Sequence, residues 1–144
     1  MQRTMIGVAL LGALSLGCAQ GRKSAAGFHM PDGDPTRGEA VFADLKCHSC
    51  HEVTGANHPA PVADPPVPVV LGGQVHRQRT DGELAAAIVD PSHWIATPAL
   101  SEVRSGKLSR MGDFSESMTV RDLVDVVAYL QSRYEVVAPP PPMH

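Results

Sequence analysis

The chain has 144 residues, 43% hydrophobic, 4% aromatic and 19% charged, with 13 Gly, 13 Pro and 3 Cys, which describes one ordinary domain with loops and argues against a multi-domain enzyme. Twelve Lys and Arg stand against fifteen Asp and Glu, a formal net charge of -3, and no basic run could neutralise a row of phosphates, so no nucleic-acid partner is expected. One Trp, two Tyr and three Phe are available to bulk out a core, so the fold needs a staple or a cofactor.

At the amino terminus, residues 5–16 (MIGVALLGALSL) form an uncharged apolar run behind Arg3, which predicts a secretory signal over residues 1–17. At about 12 residues the run is too short for a bilayer that needs roughly 20. It ends in Leu14-Ser15-Leu16-Gly17-Cys18, which resembles a bacterial lipoprotein cleavage box, implying that Cys18 becomes a lipid-modified amino terminus. Ser15 stands where that pattern prefers Leu, and ordinary secretion is the alternative. Several acyl chains, at about 0.8 kcal/mol per buried CH₂, suffice to hold a protein on a membrane. Residues 18–33 are small and polar with no apolar period and read as a tether, which at ~3.3 Å per residue reaches about 50 Å.

Asp34 as cap and Pro35 at the first position open a short helix that runs with Phe42 four residues after Gly38 toward Cys47. A glycine inside a helix costs roughly 1 kcal/mol, so Gly38 predicts close approach of another backbone. Cys47-His48-Ser49-Cys50-His51 follows, the CxxCH pattern of covalent haem c attachment. Each thiol adds to one porphyrin vinyl group, and His51, next to the second cysteine, is placed under the iron. His48 is variable filler. A zinc site needs further Cys or His at tight spacing, and a thioredoxin-like dithiol needs a strand before the motif and a helix after it. Here helical sequence comes before, and a loop with Pro59, Pro61, Pro65, Pro66 and Pro68 comes after.

Thr80-Asp81-Gly82-Glu83 is a capping box ahead of an apolar stretch that Pro91 ends. Thr119 and Asp122 cap a last helix of about 14 residues ending near Tyr134, with an apolar stripe at 120, 123, 124, 127 and 130. A polyproline tail, Pro139 to Pro142, closes the chain. No repeat and no convincing strand is found. The expected organisation is residues 1–17 signal, 18–33 tether, 34–137 folded domain and 138–144 tail. The domain is expected to be all-α, three to five helices with long loops around one cofactor.

Gly38 and Phe42, CxxCH, the proline-bearing loop, a methionine loop and the final Val126-Val127-Ala128-Tyr129-Leu130 together resemble the class I c-type cytochromes. The resemblance implies a small cytochrome c fold in which Gly38 and Phe42 cross Val126 and Tyr129. It implies a methionine sixth ligand, which maps to Met111, with Gly112 in place of the family's usual proline. It also implies that a proline carbonyl after the haem motif orients the proximal imidazole, as second-shell partners do. Met118 competes with Met111 but precedes the Thr119 cap, where a hydrophobic staple packs. His76 and His93 are further alternatives. Trp94 could pack on the haem or in the core, and Arg77, Arg79 and Arg110 could pair with propionates or be solvated.

Iron held by imidazole and thioether passes electrons, and the thioether raises the potential. The expectation is a single-electron carrier and not an enzyme: Cys47 and Cys50 attach haem c, His51 and Met111 ligate its iron, and Cys18 anchors the chain to a bacterial membrane in the periplasm. Its redox partner would be a respiratory complex or reductase. An open sixth position would instead make a haem sensor or minor peroxidase, and permanent docking would make a subunit of a larger oxidoreductase.

Overall fold

The computed structural model describes residues 29–60, 69–92, 104–105 and 108–139. Helix α1 (Pro35–Asp44) starts where local chemistry places it: Asp34 Oδ1 accepts the N–H of Thr36 at 2.9 Å and of Arg37 at 3.2 Å. Pro35 occupies the first turn, where its missing N–H is not needed. Lys46, in the left-handed conformation with φ 57°, leads the chain out of α1 into a 3-10 turn at Cys47–Ser49. Next come β1 (His51–Val53), β2 (Val69–Leu71), β3 (Gly73–Val75) and α2 (Asp81–Val89). The order ends with β4 (Arg104–Ser105), β5 (Leu108–Ser109), α3 (Val120–Gln131) and β6 (Tyr134–Val136).

The expectation of a strandless all-α chain is corrected in part. Among the described residues three α-helices are present, and beside them β1 pairs with β2 and β3 with β6, both in parallel, while β4 and β5 form an antiparallel pair. Among the described residues no ladder exceeds three residues a side, too short for the period-two alternation by which a strand is read from sequence. Gly72 and Gly73, both at φ 80°, pass the chain from β2 to β3. Side chains rarely adopt that conformation, and a Cβ on Gly72 would stand 2.9 Å from both Cβ and the carbonyl oxygen of Arg133.

Both capping boxes form. Thr80 and Glu83 bond reciprocally at α2, as Thr119 and Asp122 do at α3. The last helix is shorter than expected, 12 residues ending at Gln131. Gly73 N–H takes the Arg133 carbonyl at 2.8 Å, which draws residues 134–136 into the ladder with β3. The expected apolar stripe on α3 is also corrected: Val120 is 76% exposed, while Asp125, Val126 and Tyr129 join Val124, Val127 and Leu130 in burial. The helix is covered on several sides, so no single stripe describes it.

The core unites Phe42 from α1, Val53 from β1, Leu84, Ala85 and Ile88 from α2, and Val126, Val127, Tyr129 and Leu130 from α3. The crossing of α1 and α3 falls at Gly38, as the family resemblance implies. A Cβ on Gly38 would overlap the Asp125 carbonyl and stand 2.8 Å from Tyr129 Cβ. The Phe42 and Tyr129 rings lie 5.6 Å apart beside it. Residues at the end of the expected tether belong to this packing. Met30 is partly buried against the core, and a Cβ on Gly33 would come within 2.5 Å of the Val124 carbonyl. The described residues contain no helix long and apolar enough to cross a membrane.

Candidate functional site

The 3-10 turn holds Cys47 and Cys50 at its two ends, closed by a 3.2 Å bond from Cys50 N–H to the Cys47 carbonyl. The two thiols are not joined in a disulfide, and both are half-buried. Burial pushes the Cys47 thiol up to about 11, a backbone hydrogen bond opposing the rise and the neighbouring Cys50 adding to it. His51 begins β1, so the strand pairing fixes its backbone opposite Val69.

Its ring is fixed as well: Nδ1 lies 3.3 Å from the Val69 carbonyl oxygen. A carbonyl only accepts, so Nδ1 carries the proton and Nε2 keeps its lone pair. Burial holds the imidazole below its ordinary pKa, against the opposing pull of the Val69 bond, and so favours the neutral, ligating form. Among the described residues, the carbonyl at this nitrogen is that of Val69, where the family resemblance implies a proline's. The register of β1 on β2 brings it there.

α1, α3, the loop after β1 and the turn after α3 together build a polar cluster. His58 Nε2 and the Tyr129 hydroxyl share a 2.8 Å hydrogen bond, and Glu39 Oε1 lies 3.7 Å from the same nitrogen. Arg133 stands over the Tyr129 ring at 4.9 Å and reaches Glu39 at 3.4 Å. Burial, then the Glu39 carboxylate, raise the Tyr129 hydroxyl above its ordinary value, and Arg133 opposes them. His48, the filler position of the motif, stacks on His58 with centroids 6.0 Å apart. Sequence reasoning missed His58, because a histidine in a proline-rich loop carries no signal of a partner 71 residues away.

Met111 is partly buried against the same core as Cys47, and Met118 packs there too, just ahead of the α3 cap. The Met111 N–H donates to Ser109 Oγ at 3.1 Å. Two of the expected alternatives are engaged elsewhere. His76 is exposed, with Nδ1 3.3 Å from the Val137 carbonyl, and Arg77 forms a two-pronged pair with Glu83 at 3.0 and 3.2 Å. Cys18, His93, Trp94 and the tail from residue 140 lie outside the described residues. A cleft of about 350 Å³ opens beside His51, bounded by Val53, Ala56 and His58. A larger one, about 510 Å³, lies between Met30 and α3 and holds none of these residues.

Among the described residues, no group of three or more His, Cys, Asp or Glu side chains could hold a bare metal ion. Two unlinked thiols on one turn, next to an imidazole with Nε2 open, instead make a donor set that fits a covalently attached haem. The family model for cytochrome c matches residues 35–133. The chain belongs to the cytochrome c family. No curated protein and no solved structure matches it. Haem c, covalently attached, is the cofactor of this cytochrome, and the CxxCH run lies inside the matched span. Its class is that of electron-transfer haem proteins.

Proposed function

We propose that this cytochrome is a one-electron carrier in which Cys47 and Cys50 bind haem c, His51 is the proximal ligand and Met111 the sixth. When bound, haem c supplies a reversible one-electron couple. The clamp between His51 and Val69 carries the reading, because it presents Nε2 in a fixed orientation. A ligand held in place needs little rearrangement between oxidation states, which suits electron transfer without turnover. Met111 is favoured over Met118 because Met118 stands at the staple position of α3.

The apolar run at residues 5–16 and Cys18 support export to the periplasm and lipid anchoring at a bacterial membrane. From there the domain would exchange electrons with a respiratory complex or reductase. The first test is the absorption spectrum of the oxidised holoprotein, which should show the weak long-wavelength band of iron bound to methionine sulfur. Met111→Ala should abolish that band. Absence of the band from the wild type, with ready binding of carbon monoxide to the reduced form, would turn the reading toward a sensor or peroxidase. Mass spectrometry of the mature amino terminus tests the anchor, and an unmodified Cys18 would exclude it.

A further inference from the structure

We propose that Ser109 and Ser92 are positioning residues that hold Met111 at the iron, replacing with two hydroxyl clasps the stiffness that Gly112 does not provide. This rests on Met111 being the sixth ligand. Gly112 is exposed, and a Cβ placed there would meet nothing within 4 Å. Neither packing nor a ring therefore restrains the residue after the methionine.

The restraint lies before it. Ser109 Oγ accepts the Met111 N–H at 3.1 Å, and the Ser109 N–H in turn donates to Ser92 Oγ at 3.1 Å, both bonds partly buried. Ser92 follows α2, whose Leu84 and Ile88 are rooted in the core. The methionine backbone is thus tied in two steps to a packed helix. The strand pairing of Ser109 with Arg104 holds the middle of this chain of bonds. On the far side, Asp113 Oδ1 accepts the Ser115 N–H at 2.8 Å, and Phe114 receives the N–H groups of Ser117 and Met118.

Gly112 lies between these two hydrogen-bonded segments. A side chain that accepts from the backbone two residues on narrows the loop's conformations. A loop already ordered loses less entropy when its ligand engages the iron.

Added imidazole competes with methionine for ferric iron, so its apparent affinity for the oxidised holoprotein reads how firmly Met111 is held. Ser109→Ala and Ser92→Ala should each raise that affinity about fivefold, the factor expected for one hydrogen bond of ordinary net strength. Ser109→Thr, which keeps the hydroxyl, should restore the wild-type value, and Ser117→Ala, at an exposed position, should leave it unchanged. Met111→Ala should raise it most.

If Met111→Ala binds imidazole more tightly while both serine variants match the wild type, the positioning role is overturned and ligation by Met111 stands. If Met111→Ala binds no more tightly than wild type, ligation fails and the proposal falls with it. A lower melting temperature in Ser109→Ala with unchanged imidazole affinity also overturns it, since that marks a purely structural serine.

Discussion

The wholly buried carboxylate of Asp125, on α3, accepts the backbone N–H of Asp34 at 2.8 Å, so the residue that caps α1 is itself held by the helix that α1 crosses. Arg37 and Arg121 approach the other carboxylate oxygen at 3.0 and 3.5 Å. The arginines are half exposed, so the backbone bond matters more than the ion pairs. Asp125→Ala should destabilise the holoprotein by about 2 to 3 kcal/mol, the range for losing a bond to a charged acceptor and stranding its donor. Asp125→Asn keeps an acceptor and should lose about half as much. Guanidinium unfolding followed by circular dichroism measures both. Equal losses would mean that the charge, not the acceptor, is what α1 requires.

The helix crossing sets a second expectation. A methyl group on Gly38 meets the Asp125 backbone carbonyl, which cannot swing aside as a flexible side chain would. Gly38→Ala should therefore cost about 3 kcal/mol, at the upper end of overpacking penalties, despite alanine's better helix propensity. Gly112→Ala, in open space, is the contrasting case and should be neutral or slightly stabilising through the unfolded chain. Thermal melting of the two variants side by side decides it. A tolerated alanine at 38 would show that the helices can separate at their crossing.

What was legible in the sequence was local. The caps at Asp34, Thr80 and Thr119 were readable because each side chain bonds to backbone two or three residues away. CxxCH was readable because its chemistry fixes the spacing. Asp125 was not, since a mid-helix aspartate reads as a solvated face, and its burial depends on a backbone N–H 91 residues earlier. Val69 was missed for a related reason. Its carbonyl reaches His51 only through a three-residue parallel ladder, which leaves no pattern in composition or period.

Lys46 sits just past the end of α1 in the left-handed region, with its N–H bonded to the Ala43 carbonyl at 2.9 Å. This is the position at which helices most often place glycine, because a Cβ there crowds the backbone. Lys46→Gly should stabilise the protein by about 0.5 to 1 kcal/mol, the strain relieved exceeding the added freedom of the unfolded chain. Lys46→Val should destabilise it, since a β-branched side chain tolerates that conformation least. Melting temperatures rising for glycine and falling for valine are expected. A fall for glycine as well as for valine would mean that the lysine side chain makes a contact outweighing its backbone strain.

Two capping carboxylates shape the response to acid. Asp122 Oδ2 accepts the Thr119 hydroxyl at 2.7 Å and its N–H at 2.9 Å, and these bonds hold its carboxyl below the ordinary aspartate value. Glu83 is likewise held down, first by hydrogen bonding to the Arg77 guanidinium and then by the Thr80 N–H. A carboxyl with a lower pKa folded than unfolded leaves more protons on the unfolded chain, so stability rises with pH across that interval. The contribution is complete above the ordinary carboxylate range and is lost as pH falls through it toward the depressed folded values. Both groups are half-buried at the surface and screened by salt, so the slope is the informative readout. The wild type should melt at steadily lower temperature through this acid range, and Asp122→Asn and Glu83→Gln should each flatten the decline. Arg77→Ala should remove much of the Glu83 share while leaving that of Asp122. Melting curves collected from neutral pH downward test this, and a double variant as acid-sensitive as the wild type would assign the decline to other groups.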